Sequence, residues 1–394
     1  MESDFFKDVQ IRNSTELDNQ SLINLFLKYP VLSSLSYKVD RSPDYFNLSR
    51  VQGFDRRVLV AYRENISKSQ PTNVELYQEN VGNRLGDSLL GTISVIFDQV
   101  YMDGQIKKQA YMCDLRLEPE ARGTGLGDKM MLAGYNTCLQ VLGAEPVIFS
   151  CVLNDNKAGL KKLANLGRDK ITRFEKIGEI KTYFFLPFNP KRFLIKNDYF
   201  IRCATWDDLP EMVELWNQVI SKKNLGRVFT LDEFENWIKN SPGLNISSYL
   251  LAIKDNEIKG FLGIWNQFEI RKIIITAEIP FMTIVRKTWN FFKKLFNLPH
   301  FPEPGQSLNF FNVVNLCIPL KNSEILPSLI NKAFKIVREN NSLFLAMALD
   351  KRDPLNENVR GFISSVSELD LLTNSKEVIN NKKSNIYHME ISLG

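Results

Sequence analysis

Residues 110–142, AYMCDLRLEPEARGTGLGDKMMLAGYNTCLQVL, join a strand-like run to a glycine-rich loop and then to a helix. The run 111–117 ends before a proline, and glycine occupies every second position in the loop Gly-Thr-Gly-Leu-Gly, residues 123–127. Apolar residues then recur at helical spacing over 130–142. Glycines leave backbone N–H groups uncovered, and the start of the helix adds a positive partial charge. The sequence therefore predicts a loop that holds an anionic group such as a phosphate.

Two well-known phosphate loops do not fit this segment. A P-loop needs a lysine and a hydroxyl residue directly after its last glycine, but Asp128, Lys129 and Met130 follow here. The dinucleotide fingerprint G-x-G-x-x-G, counted from Gly123, needs a glycine where Asp128 stands. The loop must belong to another class of anion site, or be a glycine-rich turn without a ligand.

The pattern that remains, strand–Pro–x–x–Arg–Gly–x–Gly–Leu–Gly–helix, resembles motif A of the GNAT N-acetyltransferases. The generic form of that motif, [Q/R]-x-x-G-x-[G/A], is met by Arg122, Gly125 and Gly127. In that family the loop amides hold the pyrophosphate of acetyl-CoA, so the resemblance implies acetyl-CoA as co-substrate. The residues that it places at the cofactor are Leu115, Arg116, Leu117, Arg122, Gly123, Thr124, Gly125, Leu126, Gly127 and Asn156.

A second family pattern, N-x-x-A-x-x-L-Y-x-x-x-G-F, follows the next apolar strand. Aligning its glycine on Gly167 places Asn156 at the Asn position, near the CoA arm, and Gly159 at the Ala position. Leu163 then stands where the family has a tyrosine. In many relatives that tyrosine protonates the departing CoA thiolate, so the resemblance leaves this role unassigned.

The second half of the chain repeats the same order of elements. Residues 201–210, IRCATWDDLP, resemble the first strand and helix of a GNAT domain, and 309–320 stand where a second motif-A strand belongs. The segment after that strand, 321–325, contains no glycine, so the second cofactor loop is expected to be lost. We therefore expect an α/β (α+β) protein with two tandem GNAT folds, each a mixed, mostly antiparallel sheet flanked by helices. The expected units are a catalytic domain over 1–188, a linker over 189–197 and a degenerate domain over 198–394.

The resemblance also implies a chemistry of direct acyl transfer from CoA to an amine. Backbone N–H groups of residues 115–117 would polarise the thioester carbonyl, and a carboxylate would accept the amine proton. Strand alternation puts Asp114 and Arg116 on one face, with Cys113, Leu115 and Leu117 on the other. Asp114 is the candidate base, and its structural alternative is an ion pair with Arg116.

The other candidates carry weaker arguments. Glu118 lies in reach of the strand end but reads as a solvated loop residue. Tyr111 and Tyr183 are candidate acids that protonate the thiolate. Cys113 would need a histidine to act as a nucleophile, and the sequence places neither histidine beside it.

Composition limits the other classes of function. The chain has 394 residues, 44% apolar and 24% charged, and a net charge of +5, which does not call for nucleic acid. Neither a transmembrane run nor a signal segment is visible, and five scattered cysteines favour reduced thiols in the cytoplasm. Two histidines cannot make a multi-histidine metal centre, so we expect no metal. The expected partner is a small-molecule or peptide amine, and a homodimer is left open.

Three further segments carry expectations. Residues 31–54 read as irregular, aromatic chain, and 174–187 as the final strand pair of the first domain. Residues 281–301 form a basic, aromatic, amphipathic insertion. This insertion could lie on a membrane, roof a substrate pocket or pack across the interdomain face, and the third interpretation is favoured.

The sequence as a whole predicts a cytoplasmic, acetyl-CoA-dependent N-acetyltransferase whose N-terminal domain is catalytic. The alternative is a CoA-binding sensor or scaffold without catalysis, because the family's tyrosine is absent and the base is not fixed by the motif.

Overall fold

A computed structural model describes residues 8–31, 35–63, 88–154, 156, 159–160, 163, 173–188, 198–296, 298–381, 385–390 and 392. The polar segment 64–87, the linker predicted over 189–197 and most of the helix predicted after Asn156 lie outside the described residues.

The described chain contains fifteen strands and eight α-helices. The strands are β1 Val9–Asn13, β2 Leu35–Asp40, β3 Asp55–Arg63, β4 Ser88–Met102, β5 Gln105–Leu117, β6 Ile148–Leu153, β7 Glu175–Phe185, β8 Phe200–Cys203, β9 Tyr249–Lys254, β10 Glu257–Trp265, β11 Lys272–Glu278, β12 Ser307–Leu308, β13 Phe310–Cys317, β14 Phe344–Asp350 and β15 Ser364–Thr373. The helices are α1 Asn19–Lys28, α2 Asn47–Val51, α3 Leu126–Leu142, α4 Leu209–Ile220, α5 Leu231–Asn240, α6 Pro280–Phe296, α7 Leu326–Glu339 and α8 Lys376–Asn381.

Twelve of these strands form one sheet, in the order β1-β3-β4-β5-β6-β15-β7-β14-β13-β10-β9-β8. Within it, β5 pairs parallel with β6 and β13 parallel with β14, and the other neighbours run antiparallel. A separate three-stranded sheet joins β12, β11 and β2. The predicted fold class, a mixed and mostly antiparallel sheet flanked by helices, is confirmed.

The two halves exchange strands at the centre of the large sheet. The late strand β15 lies between β6 and β7, where Leu371 pairs with Cys151 on one side and with Gly178 on the other. Strand β7 in turn pairs with β14, with Tyr183 opposite Met347. The final strand pair expected over 174–187 is therefore wrong. This segment is a single strand, and both of its neighbours come from the second half of the chain.

The start of each half has the same side-chain construction. Arg12 donates to both carboxylate oxygens of Asp18, at 2.8 and 2.9 Å. In the second half Arg202 donates in the same way to Asp208, at 2.7 and 2.6 Å. Each aspartate also accepts the backbone N–H of the threonine three residues before it, at 2.7 Å. A bidentate pair locks the first strand to the helix that follows it, and it does so once in each half.

Helices cover both faces of the sheet. In the first half α3 packs on the face that carries Val95 and Met112, and α1 packs on the face that carries Val58 and Val60. Residues of α2 join the core formed by α4 and α5, including Trp216. The α1 side of the first half and the α4–α5 side of the second half are thus one continuous face.

The segment 31–54 is more regular than expected. It contains β2, whose Tyr37 pairs with Ile275 of β11, and it also contains α2. Backbone pairing between β2 and β11 therefore connects this part of the first half to the second half. Local sequence does not predict this pairing.

The basic insertion expected over 281–301 contains helix α6, Pro280–Phe296. Phe281, Phe291 and Leu295 are 67%, 79% and 73% exposed, so these three side chains do not supply the interdomain packing that was favoured.

None of the described helices is long and apolar enough to cross a membrane. Across the same residues, no group of three or more His, Cys, Asp or Glu side chains is arranged to hold a metal ion.

We expect the shared sheet to make the two halves unfold together. Ile180 on β7 is fully buried, and Ile180→Ala should cost about 2–5 kcal/mol of unfolding free energy. All five tryptophans lie between Trp206 and Trp289 in the second half. Their fluorescence should therefore report a lower denaturation midpoint, although the substitution is in the first half.

The matched control is Val366→Ala on the adjacent strand β15, where the side chain is 49% exposed; it should change stability by no more than about 0.5 kcal/mol. A tryptophan transition that Ile180→Ala leaves in place would show that the halves unfold separately.

Candidate functional site

The glycine loop connects the end of β5 to the start of α3. A 3₁₀ turn over Pro119–Ala121 redirects the chain, and Gly125 is the residue that caps α3. Gly123 and Gly125 have φ of +78° and +95°, a region that residues with a Cβ rarely adopt. The backbone path itself therefore favours glycine at positions 123 and 125.

The loop presents several backbone donors in one place. In the described structure no group accepts a hydrogen bond from the N–H of Gly123, Thr124, Gly125 or Gly127. The Thr124 hydroxyl donates to the Ala121 carbonyl at 2.8 Å, which holds the loop in shape from its other side. A Cβ placed on Gly123 would have no atom within 4 Å, so the loop opens to free space there. Bare amides at the N-terminus of a seventeen-residue helix fit an anionic group such as a pyrophosphate.

Strand β5 contains a bulge just before this loop. Cys113 pairs with Ser94 and Arg116 with Thr92, so two residues of β5 lie opposite one residue of β4. Asp114 sits in the bulge with φ of +56°. The bulge breaks the alternation expected from the sequence, because Cys113 and Arg116 now share a face. The expected division of these residues between two faces is therefore wrong.

The parallel pairing of β5 and β6 ends at the same place. The last pairs join Ala110 to Ile148 and Tyr111 to Phe149. The Ser150 hydroxyl donates to the Met112 carbonyl at 2.9 Å where the two strands begin to part. From residue 112 to 117 the β6 side of β5 has no strand partner in the described chain. On that side, residues 115–117 are paired with no strand of the described chain, although the Leu117 carbonyl accepts from Arg122.

The carboxylate of Asp114 is held by an arginine from a distant segment. Arg41, which follows β2, donates to both oxygens at 2.8 and 3.1 Å. Burial disfavours the charge of Arg41, but Asp114 outweighs that effect and raises the pKa of the guanidinium. The ring of Phe26 lies 4.7 Å and that of Tyr45 4.9 Å from the same guanidinium. Asp114 therefore pairs with Arg41, whereas the sequence suggested Arg116 as its structural partner.

The C-terminal end of α1 is fastened to the end of β5. Arg116 donates to the carbonyls of Phe26 and Tyr29, at 3.2 and 2.9 Å. The Tyr29 hydroxyl donates to Glu118, which Lys28 also contacts at 3.0 Å. These contacts explain why Glu118 is not a freely solvated loop residue. They fix the strand end from which the glycine loop departs.

Arg122 lies exposed beside the glycines, with its guanidinium 5.2 Å from the Tyr29 ring. Its Nε donates to the Leu117 carbonyl at 3.2 Å. Leu115 is exposed at the bulge, and Leu126 is buried under the loop. Asn156 is exposed, and its side-chain oxygen accepts the N–H of Gly159 at 3.0 Å, as a helix cap does.

Cys113 is unsuited to nucleophilic catalysis. Burial raises the pKa of its thiol well above the usual value, and the Asp114 carboxylate raises it further. A thiol in this state carries little thiolate at neutral pH.

The structure does not bring Tyr183 to the bulge. Tyr183 is on β7, with β6 and β15 between it and β5, a separation of roughly 14 Å across the sheet. Its ring stacks on Phe185 at 5.4 Å in the core of the second half. Its hydroxyl donates to Asn356 at 2.7 Å. The two catalytic candidates, Asp114 and Tyr183, therefore do not form one site.

A cavity with a mainly apolar wall and a few polar groups lies between the halves on the α1 side of the sheet. Tyr111 and Gln109 of β5 line it from the first half, and Asn315 of β13 from the second. The ionisable groups at its wall are those of Asp98, Arg227, His388 and Glu390. Sequence reasoning missed these residues because they are far apart in the chain and belong to no motif.

The carboxylate of Asp98 in this cavity has a raised pKa. Burial raises the pKa of Asp98 to about 6, and Arg227 at 3.5 Å opposes the shift without cancelling it. Asp98 pairs with Gln109, which is two residues, or about 7 Å, from the point where β5 and β6 part. A carboxylate with this pKa can accept a proton near neutral pH.

The second half has the same bulge but lacks the loop. Cys317 pairs with Phe261 and Val314 with Gly263, while Asn315 has φ of +48°. Buried side chains surround Asn315. Tyr249 and Trp237 donate hydrogen bonds to its side-chain oxygen at 2.7 and 3.0 Å. A 3₁₀ segment, Leu320–Ile325, replaces the glycine loop.

The carboxylate of Glu390 accepts the backbone N–H of Asn315 at 2.8 Å. The second bulge is thus occupied by the chain's own late residues.

Known proteins resemble this chain in fold but not in sequence. No protein-family model matches the chain, and no curated protein matches its sequence significantly. Among solved structures, Saccharomyces cerevisiae N-myristoyltransferase with bound myristoyl-CoA matches with a TM-score of 0.57 and 9% identity, over 93% of this chain and 82% of the other. A second structure of that enzyme with myristoyl-CoA matches with a TM-score of 0.57 and 11% identity, over 94% and 79%. The chain therefore has the acyltransferase fold of that enzyme.

We expect Gly125→Glu to weaken CoA binding by roughly a hundredfold, about 2.7 kcal/mol, measured by calorimetric titration with CoA. The new carboxylate would stand against the pyrophosphate at the start of α3, and the positive φ adds strain.

The control is Gly143→Glu at the other end of α3, where φ is +84° and a Cβ would also meet open space. Equal CoA affinity in both variants would refute the loop as the CoA site.

Proposed function

We propose that this protein transfers an acyl group from a CoA thioester directly to a primary amine, and that its N-terminal half is the catalytic one. The observation that carries this proposal is the bulged, splayed β5 that leads into the glycine loop. The second half has the bulge and the splay but no glycine loop, so one active site per chain is proposed.

The loop supplies the donor site in this proposal. The free N–H groups of Gly123, Thr124, Gly125 and Gly127 would bind the pyrophosphate, with Arg122 at the rim. When bound, the CoA thioester supplies the activated acyl group. The gap beside residues 115–117 would take the thioester, and the backbone donors there would stabilise the oxyanion that develops as the amine attacks.

The acceptor amine would enter through the cavity next to Tyr111. Its nitrogen forms a bond to the thioester carbon, the carbon–sulfur bond breaks, and the amine proton ends on the released thiolate. We propose Asp98 as the carboxylate that takes this proton first. The transfer would run through a chain of water molecules in the cavity, because Gln109 opposite Asp98 is six residues, or about 20 Å, along β5 from residue 115. Both oxygens of Asp114 accept from Arg41, so neither can take the amine proton without giving up that contact. Asp114 is accordingly proposed as a positioning residue that secures the bulge.

We expect Asp98→Asn to lower kcat about a hundredfold while CoA affinity stays unchanged. In the native protein kcat should rise with pH through about 6, because the base acts only when it has lost its proton. That limb of the pH profile should be absent in Asp98→Asn.

Asp114→Asn is the comparison variant. It should lower the denaturation midpoint because it weakens the pair with Arg41, and it should leave the pH limb near 6 in place. Loss of the limb in Asp114→Asn, with its retention in Asp98→Asn, would transfer the role of base to Asp114.

We propose acetyl-CoA as the donor, on the resemblance of the loop to the acetyltransferase motif. In this proposal the loop binds the CoA part, which every acyl-CoA shares. Selection for the length of the acyl chain must therefore come from residues outside the loop. Thiol release from CoA thioesters of increasing chain length, over a panel of small amines, amino acids and a peptide with a free N-terminus, should give the highest kcat/KM with acetyl-CoA. A maximum at a long acyl chain would overturn the acetyl assignment alone.

The second candidate function is a CoA-binding sensor without catalysis. It is favoured by the separation of Asp114 from Tyr183 and by the pairing of Asp114 with Arg41. Tight CoA binding with no thiol release on any amine of the panel would support the sensor and refute the enzyme.

A further inference from the structure

Helix α6 carries its apolar side chains on the face that points away from the protein. Phe281, Ile284, Phe291 and Leu295 are 67%, 64%, 79% and 73% exposed, and Phe292 and Phe296 are also exposed. At 100° per residue these six side chains fall within an arc of about 140°. We call this arc the outer face of α6.

Polar contacts on the opposite face hold the helix in this orientation. Arg286 is buried, and it donates to Glu278 at 2.9 Å and to Glu303 at 2.8 Å. Asn290 donates to the Phe301 carbonyl at 2.8 Å, and the Trp289 indole donates to Pro299 at 2.7 Å. Rotating the helix to bury its outer face would break these contacts and leave the Arg286 guanidinium without its glutamate partners. The exposure of the outer face is therefore fixed by the structure.

The charges of the helix are all positive. The sequence 280–296 contains no Asp or Glu. Lys287 and Lys294 are exposed and, on a helical wheel, flank the outer face along one edge next to Phe291. Arg286 is paired with Glu278 and Glu303. Lys287 also interacts electrostatically with Glu278, but both lysines are exposed beside the outer face.

An apolar groove runs alongside the outer face. Ile284, Val285, Phe292 and Phe296 form one wall, with Phe188 and Leu298 opposite. The exposed surface is thus a continuous apolar band with a groove and a row of ammonium groups at its edge.

We propose that α6 docks the protein onto the surface of an anionic membrane. The outer face would lie at the boundary between headgroups and acyl chains, and the lysines would contact lipid phosphates. A second copy of this chain fits less well, because the helix of the partner would offer these lysines no acidic side chain. The proposal is independent of acyl transfer, since it uses none of the residues of the CoA loop or the acceptor cavity.

The test is co-sedimentation of the full chain with vesicles of phosphatidylcholine containing about 30% phosphatidylglycerol, compared with phosphatidylcholine alone. The protein should bind the anionic vesicles, and added salt should weaken the binding. Phe291→Ser with Leu295→Ser should reduce the bound fraction at least about tenfold, because two large side chains no longer leave water. Lys287→Glu with Lys294→Glu should abolish the preference for the anionic lipid.

The matched control is Phe200→Ser with Leu320→Ser, two side chains that are 67% and 51% exposed elsewhere on the protein. This control should bind vesicles as the native protein does. Absence of binding to anionic vesicles, or binding that the outer-face variant leaves unchanged, would overturn the proposal. A dimer in light scattering that dissociates in the outer-face variant would assign the face to a second copy and overturn it equally. Thiol release measured without vesicles tests the enzyme separately.

Discussion

The two hydrogen-bonded ladders of β15, one to β6 and one to β7, are the interaction on which the rest of the structure depends. They place a strand from the end of the chain inside the first half and make β7 a neighbour of β14. Because β6 is also the strand that parts from β5, β15 supports the wall of the proposed donor site from behind. The bulge, the gap and the glycine loop are thus features of β5 and its flanks. The gap also depends on β15, a strand distant in sequence, because β15 pairs with β6 on the side away from β5.

The chain contains two versions of the same construction, and the differences between them explain which one is proposed to be active. Both halves begin with an Arg–Asp pair and both carry a bulge, at Asp114 and at Asn315. In the first half the bulge is followed by positive-φ glycines with free amides. In the second it is enclosed by Tyr249, Trp237 and the carboxylate of Glu390. The loop after the first bulge is open at Gly123, whereas the second bulge is enclosed by buried side chains.

Local sequence was sufficient for the elements and insufficient for the contacts between them. The strand, loop and helix around Gly125 were predictable because alternation, glycine spacing and helical periodicity are all short-range signals. The pairing of Arg41 with Asp114 spans 73 residues, and no spacing rule connects them. The bulge at Asp114 inserts one extra residue into β5. The side chains after it therefore lie on the opposite faces of the sheet from those that strict alternation predicts. The carboxylate of Asp98 acquired its raised pKa from burial between the halves, which a single sequence does not display.

The position of β15 also bears on the order in which the protein can form during synthesis. The ribosome makes the glycine loop at residues 123–127, but it makes β15 only at residues 364–373. Until then β6 and β7 expose edges that other chains can join. Long-range pairing of this kind also slows folding, because distant segments must meet before the sheet is stable. A newly made chain would therefore gain the support of β15 for its proposed donor site only after Thr373 has been made. The time for which the first half exposes these edges thus depends on the length of the chain that separates β7 from β15.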